Sequence, residues 1–339
     1  MSDAPILSVK NLNKEYGGGR GLLGRGKAAI HAVNDVSFEI APGEVLGLVG
    51  ESGSGKTTVG RTVLRLHEPT SGQVVFDGQD IAHISVSRMR DLRRDMQIIF
   101  QDPFSSLNPR TRVEEIIGEA VDLTRPKSKQ ERHQRVVRML EHVSLSTEHL
   151  RRFPHEFSGG QRQRLSIARA LAAEPRFIVA DEPVAALDVS IQAQIMNLIA
   201  DLQRETNVAM LFISHDLGLV KFIADRVMVM YLGRIVETAP VHELYHRPRH
   251  PYTRALLASA PVVDPREAHS RPRVLLKGEP PSPANPPSGC AFRTRCPFAV
   301  EACAKAAPPL LDIGGGHSHA CIRDDIETLA NQAKSSASV

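Results

Sequence analysis

Short apolar runs recur along the chain, each bounded by turn-forming or charged residues. Val45–Val49, Met96–Phe100, Phe177–Ala180, Ala209–Ile213 and Val227–Met230 show little alternation, as strands covered on both faces do. Segments of helical period lie between them, so the pattern predicts an α/β core built on a largely parallel sheet. Two longer runs, Ile6–Tyr16 and Ile30–Ile40, read as strands separated by a Gly-rich loop around Gly17–Gly26. With Gln73–Gly78 after the first helix, they predict an additional antiparallel layer.

Between Asp102 and Phe157 the pattern turns charged and helical. Val136, Val137, Leu140 and Val143 form one apolar stripe on a polar segment, which predicts a small helical subdomain over about 102–170. Beyond Ala239 the character changes again. Pro280, Pro281, Pro283, Pro286 and Pro287 make a stiff connector before a Cys-bearing segment, and the last residues, Lys334–Val339, are small and polar. The expected division is a nucleotide-binding domain over 1–239, an extension over 240–325 and a flexible tail over 326–339.

Composition narrows the function classes. Lys and Arg total 42 against 38 Asp and Glu, there is no Trp, and aromatics are 4%, which argues against a base-stacking nucleic-acid surface. The longest apolar stretches, such as Val208–Ser214 and Arg226–Leu232, fall far short of the ~20 residues that span a bilayer. Met1–Lys10 lacks the basic start and apolar run of a signal peptide, so a cytoplasmic location is expected.

Gly50-Glu51-Ser52-Gly53-Ser54-Gly55-Lys56-Thr57 follows one predicted strand and precedes the helix Thr58–Leu66. That is the context of a phosphate loop: glycines let backbone amides converge on phosphates, the helix dipole adds positive charge, and Lys56 adds a full one. The Thr57 hydroxyl suits Mg²⁺. Phe177–Ala180 ends in Asp181-Glu182, at the sheet edge where α/β proteins bind ligands. Asp181 can orient Mg²⁺ and Glu182 can act as general base toward an attacking water. Gln101 ends the Met96–Phe100 strand, where its amide can reach the metal or the water, and His215 follows another strand.

Ser158-Gly159-Gly160-Gln161 opens a helical segment, Gln161–Ala173, and Ser158 with Gln161 fits a capping box. A capped helix does not account for the two glycines, which cost ~1 kcal/mol each against Ala. They expose amides at a positive helix end, which is a second anion site. With one phosphate loop in the chain, the second site needs a phosphate from a partner.

The order of these motifs resembles the ATP-binding cassette (ABC) family. The resemblance implies an ABC-type nucleotide-binding domain with a parallel-sheet phosphate-loop core, an antiparallel β layer and an inserted helical subdomain. It implies that Tyr16 stacks on adenine and that Gly50–Thr57 with Thr58 cradle ATP. It also implies that His215 contacts the γ-phosphate, and that Ser158–Gln161 and the Ala186-Leu187-Asp188 loop cross a head-to-tail dimer of cassettes. The run His250-Pro251-Tyr252-Thr253-Arg254-Ala255-Leu256-Leu257, the segment Gly278–Pro283 and the terminal cysteines resemble the tail of dipeptide/oligopeptide importer ATPase subunits. The loop Gly17–Lys27 resembles that of their dipeptide-type second subunit. The function so implied is ATP hydrolysis coupled to peptide uptake, at the cytoplasmic face of the inner membrane. A second ABC ATPase subunit, two permeases and an extracytoplasmic peptide-binding protein are the implied partners. Haem or nickel complexes stay open as alternative solutes, and a non-transport ABC ATPase as the alternative function. A repair-type ABC ATPase is excluded, because the interval from Lys56 to Asp181 is too short for an inserted long coiled coil.

All four cysteines, Cys290, Cys296, Cys303 and Cys321, lie in this tail, spaced C-x5-C-x6-C-x17-C. In a reducing compartment such clustering favours metal ligation over disulfides. The spacing leaves Zn²⁺ and an iron–sulfur cluster equally open, with unligated thiols as the lesser alternative, and the family resemblance implies [4Fe–4S]. His317 and His319 lie near Cys321 and read as solvated imidazoles rather than ligands.

Overall fold

The structure, a computed structural model, describes residues 4–17, 29–259, 278–323 and 325–326. Its first part runs β1 (Leu7–Tyr16), β2 (Ile30–Ile40), β3 (Val45–Val49), α1 (Lys56–Val63), β4 (Ser71–Phe76), β5 (Gln79–Asp80), α2 (Val86–Leu92) and β6 (Met96–Ile99). Four helices follow: α3 (Pro103–Ser106), α4 (Val113–Asp122), α5 (Lys129–His142) and α6 (Gly159–Leu171). The alternation then resumes with β7 (Phe177–Asp181), α7 (Val189–Thr206), β8 (Ala209–Ser214), α8 (Leu217–Ile223) and β9 (Arg226–Tyr231). Last come β10 (Arg234–Pro240), α9 (Val241–His246), α10 (Pro251–Ser259), β11 (Leu311–Asp312) and β12 (Ser318–His319).

Strands β9, β3, β8, β7 and β6 pair in parallel, in that order, and β10, β12 and β11 extend the same sheet antiparallel. A second sheet, β2-β1-β4-β5, is antiparallel throughout. Side-chain alternation explains why the parallel strands read as unbroken apolar runs. Leu46, Leu48, Phe177, Val179, Leu211 and Ile213 face a core shared with the antiparallel layer and α1. Val45, Val49, Ile178, Ala180, Met210 and Phe212 face a second core beneath α6, α7 and α8. Both faces are covered, so no polar alternation survives.

The Gln73–Gly78 expectation shifts to Ser71–Phe76. Asp77 and Gly78 both adopt positive φ, at 49° and 77°, and turn the chain into β5. In the helical segment, Val136, Leu140 and Val143 are buried as the stripe required, whereas Val137 is only half-buried. The C-terminal extension does not hang free. The β11–β12 hairpin adds to β10 through Glu237↔His319 and Thr238↔Ser318, so the tail completes the main sheet.

Two readings fall wholly or largely outside the described residues: the loop Gly17–Lys27, except Gly17, and the tail 326–339, except Ile326. Ile326 itself is buried. Among the described residues no helix is long and apolar enough to cross a membrane.

Candidate functional site

The phosphate loop connects β3 to α1. Gly55 caps α1 at φ 107°, and a Cβ there would sit 2.2 Å from the Ala32 carbonyl oxygen, so only glycine fits. Lys56 is buried, and its Nζ donates to the carbonyls of Gly50 at 2.8 Å and Glu51 at 3.0 Å. Those carbonyls hold the ammonium at the mouth of the helix. Burial pulls Lys56 below the ordinary lysine value, and the Glu182, Asp181 and Glu51 carboxylates oppose that pull. Ser52 and Gly53 are exposed at the loop's crest, and Thr58 lies in the first turn of α1.

Asp181 closes β7 with its carboxylate buried. Thr57 Oγ1 donates to its Oδ1 at 2.8 Å, while Oδ2 has no hydrogen-bond partner and lies 3.9 Å from Arg61. Burial pushes the Asp181 carboxyl above the ordinary aspartate value, against the Thr57 bond and Arg61. A hydroxyl and a carboxylate in contact, with one buried oxygen still free, form a donor set that fits Mg²⁺. Glu182 follows at φ 48°, a left-handed turn that swings its side chain away from the strand direction. Its Oε2 accepts from Gln101 Nε2 at 3.1 Å and lies 3.2 Å from His215 Nδ1. Three strand ends (β6, β7 and β8) thus bring Gln101, Glu182 and His215 onto one carboxylate beside the phosphate loop.

The Ser158 run lies elsewhere, at the N-terminus of α6. Its capping box forms: Gln161 N donates to Ser158 Oγ at 3.4 Å, and Ser158 N donates to Gln161 Oε1 at 3.0 Å. Ser158 and Gly159 are exposed. Gly160 has a second reason to be glycine, because a Cβ there would stand 2.7 Å from Ile191 Cγ2 of α7. Asp188 caps α7 and is exposed next to Val189, itself 82% exposed. Tyr16 lies at the end of β1, its hydroxyl 2.6 Å from His67 Nδ1 and its ring edge-on to the imidazole.

The four cysteines line one small pocket with Phe292, Phe298 and Ile322. Burial pushes the Cys296 thiol up to about 11 and raises those of Cys290 and Cys321. Among the described residues, no three His, Cys, Asp or Glu side chains gather closely enough to hold a single metal ion. His317 and His319 are buried, not solvated: His317 Nε2 lies 2.8 Å from Glu237 Oε1, and burial is the price of completing the sheet. Two residues with contacts to the phosphate loop carried no sequence signal for that role. Tyr252 accepts the Glu51 N–H at 2.8 Å, and Arg295 grips the Glu51 carboxylate with two nitrogens at 2.6 and 3.0 Å.

Residues 33–185 match the ABC transporter family model, and residues 236–303 match the model of the oligopeptide/dipeptide transporter C-terminal region. A Brucella ovis protein named for peptide import and ATP binding is 56% identical over 96% of this chain and 100% of its own length. The oligopeptide transport ATP-binding protein AppF of Bacillus subtilis is 50% identical over 93% of this chain and 96% of its own length. Among solved structures, the dimeric post-hydrolysis state of the ATP-binding cassette MJ0796 with ADP and Pi matches at a TM-score of 0.61. Its sequence is 30% identical, over 69% of this chain and 98% of that one. With the strand-end carboxylates, the phosphate loop and the Cys-bearing tail in place, the chain belongs to the ABC transporter family, as the ATP-hydrolysing subunit of a peptide importer.

Proposed function

We propose that Glu182 is the general base of this ATPase, with Gln101 and His215 holding its carboxylate in place. The observation that carries this reading is the convergence of both side chains on Glu182 Oε2 beside the buried Lys56 and the Thr57–Asp181 pair. In this reading Gly50–Thr58 bind the phosphates through backbone amides and Lys56, and Tyr16 stacks on the adenine. Thr57, Asp181 and Gln101 are the residues that would hold Mg²⁺, which when bound offsets the charge on the phosphates. Glu182 accepts a proton from water as the water oxygen bonds to the γ-phosphorus. The bond to the bridging oxygen breaks and ADP leaves. His215 donates to the γ-phosphate oxygens.

Ser158, Gly159, Gly160, Gln161 and Asp188 are assigned to the partner's nucleotide in a head-to-tail dimer. The exposure of Ser158, Gly159 and Asp188 at helix N-termini supports this, as does the dimer formed by the related cassette. A second ATPase subunit, two permeases and an extracytoplasmic peptide-binding protein complete the importer, with this chain peripheral at the cytoplasmic face of the inner membrane. The division into a nucleotide-binding domain over 1–239 and an extension over 240–325 follows the change of character after β10. Cys290, Cys296, Cys303 and Cys321 are proposed to hold a [4Fe–4S] cluster that fastens the tail. Support comes from all four thiols lining one pocket with apolar walls, a donor set suited to that cluster.

Co-purification of the assembled importer, with ATPase turnover measured against di- and oligopeptides, haem and nickel complexes, tests the coupling. Stimulation by peptides is the expected result, and stimulation by haem or nickel complexes alone overturns it. Iron and acid-labile sulfide on anaerobically purified protein test the cluster, and zinc at one per chain overturns it.

A further inference from the structure

Every polar group of Glu51, the second residue of the phosphate loop, has a partner within the chain. Its amide donates to the Tyr252 hydroxyl, its carbonyl accepts from Lys56, and its carboxylate is held by Arg295 in a two-pronged ion pair. Two of these partners, Tyr252 and Arg295, come from the C-terminal extension, and Arg295 lies 244 positions away in sequence. A carboxylate at this point opposes phosphate binding unless its charge is offset, because it stands in the loop that receives those anions. The Arg295 guanidinium offsets that charge and, being planar with a rigid fork, also fixes the direction of the side chain.

Arg295 is itself tightly placed. Its side chain is only 5% exposed. Its backbone N–H donates to the Phe292 carbonyl at 2.9 Å, within a turn that begins at Cys290. Phe292 packs against Tyr231 and Tyr252 with ring centroids 5.3 Å away in each case. The position of the guanidinium is therefore set by the folding of the Cys-bearing segment. We propose that Arg295 is a positioning residue for the phosphate loop, and that through it the C-terminal extension sets the affinity of this subunit for ATP. This rests on the phosphate-loop assignment above and adds to it a determinant outside the nucleotide-binding fold.

The test uses the full chain, with equilibrium binding of a fluorescent ATP analogue and steady-state hydrolysis. Arg295→Ala is expected to raise both Kd and KM for ATP about tenfold, the scale of one lost charge-assisted bond, with kcat within about twofold. Adding Glu51→Gln to that variant removes the uncompensated carboxylate and is expected to recover part of the lost affinity, which a merely structural role for Arg295 does not allow. Arg295→Lys is expected to fall between, since an ammonium cannot make the two-pronged contact. If Arg295→Ala fails to fold, Arg295→Lys with and without Glu51→Gln carries the same comparison. Wild-type binding with unchanged Kd in Arg295→Ala overturns the inference alone, as does a parallel loss of kcat with no recovery by Glu51→Gln. A wild-type chain that binds no ATP overturns the phosphate-loop assignment and this inference with it.

Discussion

The side-chain amide of Gln101 donates to the Glu182 carboxylate across 3.1 Å, joining the end of β7 to the chain that enters the helical segment. Gln101 leaves β6 immediately before α3, so this contact ties the Glu182 carboxylate to the start of the helical segment. His215 approaches the same oxygen from β8. The Glu182 carboxylate is therefore fixed by groups that follow two other strands, and its geometry depends on the sheet register rather than on its own loop.

Replacing Glu182 by Gln keeps the shape and the Gln101 contact but removes the carboxylate proposed to accept the proton. The Glu182→Gln variant is expected to bind ATP normally and to lose ~10²–10⁴-fold in turnover, about 3–5 kcal/mol of barrier. Single-turnover hydrolysis beside a nucleotide-binding assay separates the two effects. Near-normal turnover would remove Glu182 from the role of base.

The glycines of the Ser158 run differ in what surrounds them. A methyl group at Gly160 meets Ile191 Cγ2 at 2.7 Å, on a stiff β-branched side chain, whereas one at Gly159 meets Leu187 Cδ2 at an ordinary 3.6 Å. Gly160→Ala is expected to destabilise the chain by about 1–3 kcal/mol through overpacking. Gly159→Ala is expected to leave stability unchanged or slightly raised, since Ala favours a helix. Thermal unfolding of the two variants side by side checks this, and equal melting temperatures contradict it.

Tyr16 is anchored through its hydroxyl to His67, with Lys14 Nζ 5.0 Å from the ring centroid. If the ring face is what ATP uses, Tyr16→Ala raises KM for ATP about 5–100-fold, the range for one lost base–aromatic stack. Tyr16→Phe stays close to wild type, and His67→Ala falls between because the ring loses its tether. A Phe variant as impaired as the Ala variant would assign the work to the hydroxyl instead.

Acid is expected to weaken the seam between β10 and the tail. Burial pushes the Glu237 carboxyl up, but His317 and the backbone amides of Arg249 and His250 outweigh it and hold the group below the ordinary glutamate value. Its contribution is present above about pH 4.5 and is lost as pH falls through the lower folded value. Burial also pushes His250 down from 6.5 to about 4, and its Nδ1 accepts the Tyr252 N–H at 3.1 Å. Between those two values the unfolded chain takes up a proton that the folded chain refuses, so stability falls with pH by ~3 kcal/mol from His250 alone. Melting temperatures from pH 7 to pH 4 test the sign. Glu237→Gln is expected to cost ~2–4 kcal/mol at pH 7 and to flatten the profile below about pH 4.5.

Much of the core was legible because its signals are local. Val45–Val49 and Ile30–Ile40 form strands over the residues that the apolar pattern marked, and the capping box at Ser158 forms as written. Other features were not legible. Arg295 sits in a turn-rich segment with no period to read. The buried state of His317 comes from a hairpin of two-residue strands, too short to leave an alternation. Gly160 carried a signal, but its packing reason lies on α7, in a different part of the chain.

The sequence by itself determined the order of the phosphate loop, Gln101, the Ser158 run, Asp181-Glu182 and His215. With that order came the chemistry of a triphosphate site, because each motif acts through backbone and side chains a few residues apart. Only the tertiary structure decided that Gln101 and His215 share one oxygen of Glu182, and that Tyr252 and Arg295 return to clasp Glu51. Those contacts join residues 33 to 244 positions apart, and they are made by sheet register and side-chain packing. A chain read residue by residue carries no periodicity for either.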